Sequence, residues 1–129
     1  MTINRRAFTE ILASFGVIIA LPALAQGKTI EVSMRNSPKG MFVPATVNIS
    51  AGDTVVWTNP GVITHTVTFD PAQAATPTNV ALPAGVAPFG SDNMEEDATF
   101  SHTFTVKGTY KYVCNMHEAM GMVGTVVVS

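Results

Sequence analysis

The feature that most constrains this chain is a polar–apolar alternation of period two. It recurs from Thr29 onward and is cut every few residues by turn formers. Successive side chains of a strand point to opposite faces, so alternation buries one face and wets the other. Thr29-Ile30-Glu31-Val32-Ser33-Met34 shows it, as does Thr46-Val47-Asn48-Ile49, and Val123 to Val128 closes the chain in the same way. Thr54-Val55-Val56-Trp57-Thr58-Asn59 combines β-branched and aromatic residues, which suit a pleated surface. Breakers separate these runs: Asn36 to Gly40, Ala51-Gly52-Asp53, Pro60-Gly61 and Lys107-Gly108. Met41-Phe42-Val43-Pro44 reads as an edge segment, because proline donates nothing to a ladder. Thr64 to Phe69 reads as a strand with His65 near its start. Phe100, His102, Phe104 and Val106 read as one face of another, and Tyr110 to Val113 leads into Cys114. About seven or eight short strands without a sustained helical period predict an all-β antiparallel sandwich or barrel.

Residues 70–98 break the pattern. They hold Pro71, Pro77, Pro83 and Pro88 and the acidic residues Asp92, Glu95, Glu96 and Asp97. A long surface connection with one helical turn is expected there, and connections of that length often carry function.

The first residues belong to a different class of segment. Arg5 and Arg6 precede an apolar run from Ile11 to Leu21, and Ala23-Leu24-Ala25 supplies small residues for cleavage. This is the build of a secretory signal, and the apolar run is too short for a comfortable membrane span. Asn4-Arg5-Arg6-Ala7-Phe8-Thr9 resembles a twin-arginine export signal, although its first residue and those after Phe8 depart from the usual pattern. Residues 1–25 are therefore expected to be removed on export, leaving 26–129 as the folded domain with no stable membrane insertion. The 129-residue chain is 47% hydrophobic, enough for one core, and its net charge of −2 with no basic patch gives nucleic acid nothing to bind.

Chemistry concentrates in Cys114-Asn115-Met116-His117-Glu118-Ala119-Met120-Gly121-Met122, which contains the only cysteine. A lone cysteine in an exported chain forms no internal disulfide and is open to oxidation unless something protects it. Ligation would protect it. Thiolate, imidazole and thioether together suit copper in both oxidation states, whereas zinc more often has several thiolates and calcium or magnesium take oxygens. Cys114, His117 and one methionine lie on a single loop between the last two strands. His65, just after the Pro60-Gly61 break, is the best candidate to complete the set from the same end of a sandwich. Two histidines and a cysteine in a plane with a weak axial methionine form a blue-copper electron-transfer site.

With these residues in place, the sequence resembles the cupredoxins of the plastocyanin, pseudoazurin and amicyanin group. Phe42-Val43-Pro44-Ala45-Thr46-Val47-Asn48-Ile49 and Gly52-Asp53-Thr54-Val55-Val56-Trp57-Thr58-Asn59 resemble the family's first-half signature. Cys114-x-x-His117-x4-Met122-Val123-Gly124 resembles its second. The likeness covers about residues 29–69 and 99–128. It implies a Greek-key cupredoxin fold and a small monomeric periplasmic electron carrier, not an enzyme, with one type 1 copper ion cycling between Cu(I) and Cu(II). Carried over residue by residue, it assigns His65, Cys114, His117 and Met122 as ligands. The partners it implies are redox proteins, such as a c-type cytochrome or a periplasmic dehydrogenase or reductase.

This chain departs from the family pattern at three places. Thr66 stands where an asparagine usually ties the two ligand loops together, so that tie is expected to be weaker or rerouted. Met116 replaces a frequent proline and brings an N–H that can point at the Cys114 sulfur. Met120 competes for the axial role, but Met122 followed by Val123-Gly124 matches the longer family loop better. Glu118, beside His117, is expected to favour an imidazolium there in the reduced protein. Two docking surfaces are expected, one acidic at Asp92 to Asp97 and one apolar around His117 from Met116, Ala119, Met120 and Gly121. His102, between Phe100 and Phe104, reads as packed structure. The rival function is a periplasmic copper chaperone or store, which would favour Met/His sets without a thiolate. Multicopper oxidases and nitrite reductases need more than the three histidines this chain has.

Overall fold

The computed structural model describes residues 27–129, so the expected export signal at 1–25 lies outside the described residues. Nine strands follow in order: β1 (Thr29–Arg35), β2 (Met41–Val43), β3 (Thr46–Ile49), β4 (Thr54–Thr58), β5 (Thr68–Phe69), β6 (Phe89–Gly90), β7 (Thr99–Thr103), β8 (Gly108–Val113) and β9 (Val123–Val128). They form a four-stranded sheet ordered β2-β1-β4-β7 and a five-stranded sheet ordered β3-β9-β8-β5-β6. Alternation decides which side chains meet in the core. Val32 and Met34 of β1, Val55 and Trp57 of β4, Val47 and Ile49 of β3, Tyr110 and Tyr112 of β8, and Val126 and Val128 of β9 are all buried in one cluster.

The fold is the expected all-β sandwich, with differences in detail. Both sheets are mixed, because β1 pairs with β4 and β3 with β9 in parallel. The chain makes the β1–β2 pair, places β3 in the other sheet, and returns with β4 on the free side of β1. Alternation within a strand carries no information about that return. β2 sits at a sheet edge, as Pro44 required.

The strand expected over Thr64 to Phe69 is reduced to Thr68–Phe69. The backbone before it is engaged otherwise: His65 pairs with Met94 in an isolated bridge, Val67 exchanges bonds with Ser91, and the Thr66 N–H points at a sulfur. At β7 the regular strand ends at Thr103. Phe104 is fully buried, but Val106 is exposed rather than on the same inward face. His102 is structural, as expected: it stacks on Phe89 with centroids 3.8 Å apart, and burial pushes its pKa below the usual histidine value.

The 70–98 connection is more ordered than its sequence suggested. It contains two 3-10 turns, Pro71–Gln73 and Pro77–Asn79, then β6, and it buries Val80 and Met94. Both turns carry proline in their first positions, where a missing N–H costs nothing.

Where β9 passes β8, Gly124 lies opposite Tyr112, and a Cβ built on Gly124 would overlap the Tyr112 ring. That ring cannot retreat, since it packs against Phe42 at 4.6 Å and Phe69 at 4.7 Å between centroids. Gly124→Ala is therefore expected to cost about 1–3 kcal/mol through overpacking, read as a lower denaturant midpoint of the apo-protein.

Candidate metal centre

The loop from Cys114 to Met122 is folded on itself by its own backbone. His117 N–H donates to the Cys114 carbonyl at 3.1 Å, and Met122 N–H to the His117 carbonyl at 3.2 Å. Cys114 N–H closes the loop on the Met122 carbonyl at 3.0 Å. A 3-10 turn, Glu118–Met120, lies between, and Gly121 ends it with φ 84°, a left-handed conformation that glycine adopts without strain. The other side of the centre is built by Asn59, which is fully buried at the end of β4. Its Nδ2 donates to the carbonyls of Ile63 at 2.7 Å and Met94 at 2.9 Å, and its Oδ1 accepts the Gly61 N–H. Those bonds shape the 60–64 turn and deliver His65 to the same end of the sandwich.

The turn and the loop bring His65, Cys114 and His117 together, with one possible ligand atom from each, all within 4.8 Å of one another. Cys114 Sγ stands 3.4 Å from His117 Nδ1 and 3.8 Å from His65 Nδ1. Nitrogen and thiolate donors at about 2.0 and 2.3 Å from a shared small ion, 120° apart, would be separated by about 3.7 Å. The side chains therefore stand at the spacing one ion requires.

Met122 is fully buried, and its Sδ and the His117 Cβ lie against the same point of the backbone, 3.1 and 3.4 Å from where a Cβ on Gly40 would stand. Met120 is half exposed and lines the shallow cleft beside His117. Met122 thus faces the interior beside His117 and Met120 faces outward.

The chemical state of the donors fits as well. Asn36 Oδ1 lies 2.6 Å from His65 Nε2. An amide oxygen only accepts, so Nε2 carries the proton and Nδ1 keeps its lone pair facing the sulfur. Burial, helped by the nearby His117, holds the His65 pKa below its usual value, which keeps the ring neutral as a ligand must be. Asn36 was not legible as part of the centre, because nothing in a loop rich in Asn, Ser, Pro and Gly marks which side chain turns inward. Asn36→Ala is expected to weaken copper binding about 10–100-fold, the usual effect of losing a partner that orients a ligand histidine. Competitive titration against a chelator reads it.

Two of the expected departures are resolved. Thr66 does tie the ligand loops, by a rerouted bond. Its hydroxyl accepts the Asn115 N–H at 3.0 Å and donates to Asn115 Oδ1 at 2.9 Å. Among the described residues, the non-ligand donor at the Cys114 sulfur is the Thr66 N–H at 3.4 Å; the Thr66 hydroxyl lies 3.9 Å from that sulfur but gives its one proton to Asn115 Oδ1. The Met116 N–H, expected at that sulfur, does not bond it, and the Met116 side chain is half exposed. Glu118 also differs from expectation. Its carboxylate is engaged by Ala75, Thr76 and Asn79 rather than left to act on His117. Burial raises its pKa, but the bonds from Asn79, Thr76 and Ala75 outweigh that and hold it below the usual carboxylate value.

Known proteins agree with this geometry. Residues 29–129 match the copper-binding proteins of the plastocyanin/azurin family. Chloroplastic plastocyanin of Pisum sativum is 34% identical over 130 residues, which cover 92% of this chain and 73% of that protein. A reduced Cu(I) form of an amicyanin variant superposes with a TM-score of 0.60 at 30% identity, covering 82% of this chain and 86% of that one. Pseudoazurin from Methylobacterium extorquens AM1 gives a TM-score of 0.60 at 26% identity, covering 79% and 76%. These relatives are electron carriers, not enzymes. The donor set, the sandwich that presents it and these likenesses lead to one assignment: the chain is a cupredoxin and belongs to the plastocyanin/azurin family of copper-binding proteins.

Proposed function

We propose that the protein is a periplasmic electron carrier that cycles one type 1 copper between Cu(I) and Cu(II). His65, Cys114, His117 and Met122 would hold it. The observation that carries this reading is the convergence of His65 Nδ1, Cys114 Sγ and His117 Nδ1 at the end of a stiff sandwich. The bound metal supplies the one-electron chemistry. The chain's own residues do the rest. His65, Cys114 and Met122 are fully buried, so they exclude water from the centre. The Thr66 N–H, aimed at the sulfur, draws charge from the thiolate and favours the reduced state. Backbone bonds within 114–122 and the Thr66–Asn115 tie hold the donors in one geometry, so a change of charge moves few atoms.

His117 alone of the four is partly exposed, and half-exposed Met120 and Ile63 line the same cleft. Electrons enter and leave through that ring edge, against an apolar patch suited to a small, short-lived interface. Export through residues 1–25 places the protein in the periplasm, with c-type cytochromes, dehydrogenases or reductases as partners. A c-type cytochrome mixed with the copper-loaded protein in a stopped-flow instrument tests this. Rapid second-order electron exchange is expected. Absence of exchange, with copper passing to a Cu(I) chelator after reduction, would instead identify a chaperone or store.

A further inference from the structure

The loop that carries His117 is fastened to the rest of the molecule at a point the family signature does not include. Glu118 follows His117 directly and opens the 3-10 turn Glu118–Met120, and its side chain is buried although it is charged. Its Oε1 accepts the Ala75 N–H at 2.7 Å, and its Oε2 accepts the Thr76 N–H at 2.9 Å and Asn79 Nδ2 at 2.9 Å. These donors cluster at the 3-10 turn Pro77–Asn79, where backbone N–H groups lack partners within the turn. A carboxylate bridging several such donors makes strong, directional bonds.

The gripped turn is itself fixed. Ala81 exchanges both backbone hydrogen bonds with Lys111 of β8, at 3.1 and 2.9 Å, and Lys111 Nζ reaches the Thr78 carbonyl at 3.4 Å. β8 runs directly into Cys114. Two ligands are therefore referred to the same strand by different routes. Cys114 is attached through the chain, and His117 through Glu118, the 75–79 turn and Ala81. Among the described residues, the ring so closed is the one long-range side-chain hydrogen-bond anchor of the stretch from Glu118 to Met120, and it acts next to His117, the partly exposed ligand.

We propose that Glu118 is a positioning residue that fixes His117 relative to Cys114, and that the 70–98 connection serves as the scaffold it grips. This rests on the copper reading above. It also gives the connection a task that its acidic residues and its lack of periodicity did not reveal.

The test uses Glu118→Gln and Asn79→Ala in the exported protein, with and without copper. Glu118→Gln sets an amide donor against donors. Asn79→Ala removes one bond without touching the ligand loop. In the apo-protein, amide exchange at Ala75, Thr76 and His117 is expected to accelerate in both variants, more in Glu118→Gln. In the copper-loaded protein, transfer of copper to a chelator is expected to rise about 10–100-fold in Glu118→Gln and by a smaller factor in Asn79→Ala, and the visible band to shift. Unchanged exchange at Ala75 and Thr76 would show that the strap does not form. Faster exchange there, with the His117 amide, copper release and the band all unchanged, would show that it holds the connection alone. Either result overturns the proposal. Should Glu118→Gln fail to fold, Asn79→Ala decides on the same readouts. A wild-type protein without a thiolate–copper band is a different result, because it refutes the copper reading while the apo-protein exchange still judges the strap.

Discussion

Replacing Cys114 by Ser is expected to abolish the intense visible absorption of the copper-loaded protein and to slow electron exchange by orders of magnitude. The chain has one cysteine, so no second thiol can take its place. A serine hydroxyl does not ionise readily near neutral pH, and it offers a hard oxygen where a soft, strongly coupling thiolate is needed. The substitution is nearly isosteric at a fully buried position where backbone bonds to Met122 and His117 already hold the loop. The fold should therefore survive, and the Thr66 N–H finds an acceptor in the new oxygen. Far-ultraviolet circular dichroism and the denaturant midpoint of the apo-protein check that control. Copper titration in the visible and stopped-flow exchange with a cytochrome read the effect. A variant that keeps both colour and rate would remove Cys114 from the centre.

Trp57→Ala carries the largest expected loss of stability, about 3–5 kcal/mol in the apo-protein. Trp57 has no solvent exposure and sits between the sheets, with ring centroids 5.4 Å from Tyr112, 5.7 Å from Phe100, 5.8 Å from Phe69 and 6.4 Å from Phe104. Its Nε1–H donates to the Tyr112 hydroxyl at 3.0 Å. Truncation thus opens a cavity and removes the hydroxyl's donor. The loss is a large share of the roughly 5–15 kcal/mol that holds a typical domain folded. Trp57→Phe separates the two terms, because it keeps most of the volume and removes only the hydrogen bond, for about 1–3 kcal/mol. Urea unfolding followed by circular dichroism measures both. The effect reaches the metal centre, since Tyr112 and Cys114 belong to one continuous stretch of β8 and its exit. If Trp57→Ala unfolds at the wild-type midpoint, this ring does not organise the core as described.

Both predictions draw on residues visible in the sequence, and the reason is physical. Val32, Met34, Val55, Trp57, Val47 and Ile49 announce their burial because a strand alternates its faces locally. Cys114, His117 and Met122 announce their chemistry because few metals want that donor set. His65 was legible through the Pro60-Gly61 break that sets it at one end of a strand. What stayed hidden depends on contacts distant in sequence. Asn36 meets His65 across the fold. The parallel neighbours β1 and β4 are separated by two other strands. Residues 70–98 are ordered by short backbone turns, by backbone bonds to distant partners such as Lys111, Val67 and His65, and by side chains, namely Asp70 on Ala72, Ser91 on Val67 and Glu118 on Ala75 and Thr76, and none of these leaves a periodic trace. Glu118 was noticed for its neighbour His117, whereas its partners lie about forty residues upstream. Thr66 shows the opposite case: the substitution was visible, and its consequence, a hydroxyl tied twice to Asn115, needed the three-dimensional arrangement.

His65, Cys114, His117 and Met122 are proposed to hold one copper in both oxidation states. The most direct test is a Cu(II) titration of the purified apo-protein in the visible region, followed by one cycle of reduction and reoxidation. Saturation at one copper per chain with an intense thiolate-to-copper band is expected. Reduction should bleach that band and reoxidation restore it, with the copper retained throughout. A colourless product at one equivalent, or copper lost to a chelator once reduced, would contradict it.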